Sequence, residues 1–189
     1  MSLYISKSAA IFTLLDVCEI IFKMLPLQSL IRLSVIAHRE HESVFNYLQH
    51  QIIRFLSRFF NNTIMFLQLL RHMGAVVSGS AALQILFALE NMAWSANDLD
   101  LYVLSQRRQP LVDFFETSGF TPSLLHCSHP YCDGSICTIQ SFYCGGHKVD
   151  LIKSKIDSAL SPIFEFHSTM LMNYILADSI FSAYPSLTG

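Results

Sequence analysis

The sequence predicts an α+β fold: a small mixed β-sheet with flanking helices, preceded by an all-helical N-terminal region. Three observations carry this. The first 60 residues space their apolar side chains three and four apart. From Gly74 onward, short β-branched runs bounded by glycine alternate with short helical stretches. Within Asn97-Asp98-Leu99-Asp100-Leu101-Tyr102-Val103, acidic and apolar residues alternate with the period of a strand that has one polar face.

The elements follow in order. Ile11, Leu14, Leu15, Cys18, Ile21 and Phe22 recur at helical spacing, and Pro26 ends that helix because proline disfavours helix at the residue before it. A short helix is expected over about 28–35. A longer one, over roughly 40–60, carries Val44, Tyr47, Leu48, Ile52, Phe55, Leu56 and Phe59 on one side. Asn61-Asn62-Thr63 suits the start of another helix over 64–72. Ala75-Val76-Val77 reads as a buried strand, 80–90 as a helix opened by Ser80, 98–103 as a strand and 109–118 as a helix stopped by Gly119. Residues 121–135 read as a loop. Residues 136–143 and 148–153 form a hairpin across Cys144-Gly145-Gly146-His147, and a last helix is expected over about 167–174. The boundary falls near 61–73, giving a helical region over 1–60 and an α+β domain over 61–189.

Composition narrows the function class. The chain has 189 residues, 52% hydrophobic and 14% charged, which provides ample core and argues against disorder. A formal charge of −2 gives no global attraction to nucleic acid or anionic lipid. The uncharged run 73–89 is short for a membrane span and contains Gly74, Ser78, Gly79, Ser80 and Gln84. No basic start or cleavage site of a secretory signal is visible, so a soluble intracellular protein (cytoplasmic or nuclear) is expected. The five cysteines include Cys127, Cys132, Cys137 and Cys144, near His126, His129 and His147. None form the close Cys-x-x-Cys pairs that structural zinc favours, so a loop carrying free thiols is the expectation.

The chemistry-bearing residues are few. On a strand, Asp98 and Asp100 project side by side, and two adjacent carboxylates repel unless a cation neutralises them or one takes a proton. A divalent ion such as Mg²⁺ (or Mn²⁺), which prefers oxygen ligands and bound phosphate, suits such a pair. Upstream lies Val77-Ser78-Gly79-Ser80 and downstream Lys148-Val149-Asp150-Leu151.

This ordered set resembles the nucleotidyltransferase domain of the DNA polymerase β superfamily: Gly-Ser at a helix start, an acidic-x-acidic strand, then a third acidic residue. The resemblance spans roughly 74–155. It implies that Gly79 lets the backbone approach a nucleoside triphosphate and that Ser80 opens an anion-favouring helix N-terminus. By the same resemblance Asp98 and Asp100 hold one or two metal ions. Asp150 completes a second metal site or takes the proton of an acceptor hydroxyl. The flanking text is similar to uncharacterised fungal proteins with such a domain. The helical start, with Leu25-Pro26-Leu27-Gln28-Ser29-Leu30, is similar to a degenerate F-box. That likeness implies a different class of function: a non-catalytic interaction protein docking a Skp1-type adaptor.

Overall fold

In the computed structural model, described over residues 15–36, 38–87, 94–123 and 134–184, the first described elements are four helices. These are α1 (Leu15–Met24), α2 (Leu27–Ile36), α3 (His38–Leu56) and α4 (Thr63–Met73). Asn62 caps α4 by accepting the Met65 amide, and Gly74 closes it in the left-handed conformation at φ 61°. The sheet elements follow: β1 (Val76–Ser78), α5 (Gly79–Phe87), β2 (Asp98–Leu104), α6 (Gln109–Thr117), β3 (Thr121–Pro122), β4 (Ile136–Cys144) and β5 (His147–Ser154). Two short 3₁₀ turns, Ser161–Glu165 and Thr169–Leu171, precede β6 (Asn173–Ile175) and β7 (Ile180–Ser182).

Among the described residues, seven strands form one sheet in the order β3-β4-β5-β2-β1-β6-β7. It is mixed: β2 and β5 run parallel, and the remaining neighbours are antiparallel. The expected α+β class with flanking helices is what the chain adopts. The Gly145-Gly146 turn has positive φ at both residues, 56° and 86°, the backbone that a tight two-residue hairpin needs.

Strand alternation separates two environments. On one face Val77, Leu99, Leu101, Val103, Val149, Leu151 and Phe142 enter the main core with α4, α5 and α6. Phe60, Phe66, Phe114 and Phe115 pack there ring against ring; the Phe60 and Phe66 centroids lie 4.2 Å apart. On the other face Val76, Tyr102 and Ile152 pack under Ala159 and Ile163. A third cluster, Cys18, Phe22, Leu30, Val44 and Tyr47, belongs to α1–α3 alone. Helix α3 joins two of these cores, because its C-terminal residues Ile52, Phe55 and Leu56 lie in the main one.

The segment expected to be a helix over 167–174 is instead a 3₁₀ turn followed by the β6–β7 hairpin. Strands of three residues are too short to display a period, and β6 is held by pairing with the distant β1. Tyr174 and Phe181 stack across this hairpin with centroids 4.8 Å apart. The start of the first expected helix, the end of the helix predicted over 80–90, and the loop residues His126, Cys127, His129 and Cys132 lie outside the described residues.

Candidate active site

The acidic strand is positioned from three sides. Gln84 of α5 accepts the Ala96 amide at 2.8 Å, while Arg58 donates to the Ser95 hydroxyl at 2.8 Å and the Ala96 carbonyl at 3.2 Å. The Lys148 amide donates to the Asn97 carbonyl at 3.3 Å, bringing β5 alongside. In the parallel pairing Asp98 stands opposite Lys148 and Asp100 opposite Asp150. Because alternate residues share a face, all four side chains belong to the face opposite the main core. On the other edge of β2, Ser78 stands opposite Asp100, and its hydroxyl donates to the Asn173 carbonyl.

Gly79 has φ 69°, and a Cβ built there would collide with the Asp100 carboxylate. A side chain at position 79 is therefore excluded twice, by backbone conformation and by space. Ser80, expected as the helix cap, is the second residue of α5, with Gly79 the first.

The two central carboxylates differ. Asp150 has both oxygens engaged: Oδ1 accepts from the Ser141 hydroxyl at 2.6 Å and Oδ2 from the Lys148 ammonium at 2.7 Å. The Asp100 carboxylate accepts no hydrogen bond among the described residues. Burial, then the charge of Asp150, pushes its pKa up to about 6, against the opposing pull of Lys148 and with a smaller push from Asp98. Burial works against the Lys148 ammonium, but its hydrogen bond to Asp150 and the charges of Asp150 and Asp98 outweigh it and raise its pKa. Tyr102, two residues beyond Asp100 on the same face, has its phenol pKa raised by burial and by both aspartates.

A cleft of about 540 Å³ opens over this face. Asp100 and Asp150 line it together with the largely apolar side chains of Tyr102, Ile139, Ile152 and Phe166. Glu165 also lines it and accepts from both the amide and the hydroxyl of Ser135. These hydrogen bonds hold the Glu165 carboxyl below the usual range.

The residues fit a hard cation at one place. Asp100 offers an unengaged oxygen donor beside the glycine that gives it room, and Asp98 precedes it on the same face at the exposed end of β2. Mg²⁺ commonly takes one or two carboxylates and completes its shell with water and substrate phosphate. Among the described residues, no three or more His, Cys, Asp or Glu side chains are grouped to hold a metal ion. Thus the structure pairs Asp100 with Asp150 directly, with Asp98 one alternation away and Gly79 behind Asp100.

Ser141 and Lys148 were not among the sequence-predicted site residues, yet both were within reach of the pattern. Lys148 is two before Asp150, hence on its face. The two-residue turn at Gly145-Gly146 pairs Cys144 with His147, and counting back along the hairpin sets Ser141 opposite Asp150.

The sequence matches no family model and no curated protein. Among solved structures it is similar to a tRNA nucleotidyltransferase complexed with a primer tRNA and an incoming ATP analogue, at 14% identity and a TM-score of 0.45. That match covers 64% of this chain and 35% of the other. A tRNA-processing enzyme in an apo form is similar at 14% identity and a TM-score of 0.46, over 67% of this chain and 34% of the other. The chain spans about a third of the length of each. No helix among the described residues is long and apolar enough to cross a membrane.

Proposed function

We propose that this chain is a nucleotidyltransferase-like protein that binds a nucleoside triphosphate with a divalent cation and transfers the nucleotidyl group to an acceptor hydroxyl, releasing pyrophosphate. The observation that carries the reading is the packing of Asp100 between Gly79 and Asp150. A half-buried carboxylate beside a second carboxylate, with no hydrogen bond among the described residues, is costly unless a cation serves it. Asp98 and Asp100 would hold Mg²⁺ or Mn²⁺, which when bound neutralises the phosphates. Gly79 and Ser80 bring the first amides of α5 toward the triphosphate, where a helix N-terminus favours anions. The apolar lining of the cleft would seat the base. Calorimetry with ATP, GTP, CTP and UTP tests this. Binding that requires Mg²⁺ and is lost in Asp100→Asn supports it, and the absence of Mg²⁺-dependent binding of all four removes it.

A second reading belongs to the helical start. Met24, Val35 and Ile36 are 80%, 79% and 75% exposed, an apolar surface on α1 and α2 beside their own small core. In this reading the region is F-box-like and docks a Skp1-type adaptor. Pull-down with such an adaptor tests it: capture lost in Val35→Asp supports the reading, and no capture by the wild type removes it.

A further inference from the structure

We propose that Lys148 is a built-in cation of the cleft: its ammonium takes, on Asp150, the place of a second divalent ion, so the site holds one divalent cation rather than two. The proposal rests on the cation-site reading above and concerns how many ions that site accepts.

Lys148 and Asp150 are two apart on β5, so the pleat puts both on the cleft face, and the parallel register sets them beside Asp98 and Asp100. The ammonium lies 2.7 Å from Asp150 Oδ2, and Ser141 takes Oδ1 at 2.6 Å. Each oxygen of Asp150 therefore already accepts one charge-balancing or hydroxyl hydrogen bond. The pair is partly buried, with side-chain exposures of 30% for Lys148 and 14% for Asp150. Such a contact is less screened than a surface ion pair. A divalent ion seated on Asp150 would have to compete with the ammonium and meet its positive charge at close range.

The carboxylate of Asp100, opposite Asp150 on the neighbouring strand, accepts no hydrogen bond from a hydroxyl or an ammonium among the described residues, and Lys148 acts on it only through its charge. The asymmetry assigns the two carboxylates different work. Asp100 takes the exchangeable ion, and Asp150, with its charge already balanced, acts as a positioning residue.

The experiment is Mn²⁺ titration of the full chain, reading free Mn²⁺ by electron paramagnetic resonance, with no substrate and no turnover. The wild type should bind one equivalent, lost in Asp100→Asn and retained in Asp150→Asn. Lys148→Met should gain a second equivalent, and Lys148→Arg, which keeps the charge, should stay at one. Two equivalents in the wild type, or loss of its single ion in Asp150→Asn, would overturn the proposal while leaving the metal-site reading intact. One equivalent in a folded Lys148→Met would do the same. The Asp150→Asn and Asp100→Asn arms decide the matter even where Lys148→Met fails to fold. No binding by either the wild type or Lys148→Met would overturn the metal site and the proposal together.

Discussion

The two faces of β2 and β5 are one residue apart in sequence and far apart in chemistry. On the core face Leu99, Leu101, Val149 and Leu151 are sealed from solvent, and each contributes by being apolar and of the right size. On the cleft face Asp98, Asp100, Lys148 and Asp150 crowd charge onto the same two strands. The first face is what makes the second affordable, because strands pinned by packing can hold like charges in register that would separate on a looser scaffold. Stability and function are therefore expected to separate by face.

The largest expected effect breaks the core face. Leu101→Ala should lower unfolding stability by about 2–5 kcal/mol in urea, since it deletes fully buried methyl groups. Asp100→Asn, one residue away, should lose Mg²⁺-dependent nucleotide binding without that cost. A comparable stability loss in both variants would collapse the distinction between the faces.

The next effect sharpens it through pH. A carboxyl whose folded pKa lies above its unfolded value favours the folded state only when protonated. For Asp100 the penalty is absent well below pH 4, grows as pH rises toward about 6, and is full above it. Its size is on the order of 3 kcal/mol. Asp100→Asn should therefore gain on the wild type across that window in thermal melts, and millimolar Mg²⁺ at neutral pH should narrow the gap. A difference independent of pH would contradict the burial and repulsion assigned to Asp100.

Gly79→Ala tests the close approach between the start of α5 and Asp100 of β2. Left-handed backbone alone costs a non-glycine residue roughly 1–2 kcal/mol, and the collision with Asp100 adds to it. In an Asp100→Ala background the cost should shrink, because the colliding carboxylate is gone; strict additivity in the double-mutant cycle would show that the two do not touch. The smallest effect lies away from the sheet. Val35→Ser on α2 should change stability by less than about 0.5 kcal/mol, because that side chain is already in water.

Much of this architecture was legible in the sequence because its long elements carry strong periods. The helix around Val44, Tyr47, Ile52 and Phe55, the alternating strand at 98–103 and the Gly145-Gly146 turn each announce themselves locally. What local pattern could not reveal was pairing with distant chain. The β6–β7 hairpin exists because β6 lies against β1, some hundred residues earlier. Likewise, sequence placed Asp98, Asp100 and Asp150 on strands, but only the β2–β5 register shows that Asp150 faces Asp100.

The central claim is that Asp100 is the anchor of a metal–nucleotide site on the cleft face. The most direct test is a crystal structure with Mn²⁺ and a non-hydrolysable nucleoside triphosphate, read by anomalous scattering. The account expects an anomalous peak at the Asp100 carboxylate, with the phosphates reaching toward Gly79 and Ser80. Mn²⁺ or nucleotide bound only elsewhere, with the Asp100 carboxylate touching neither, would contradict it.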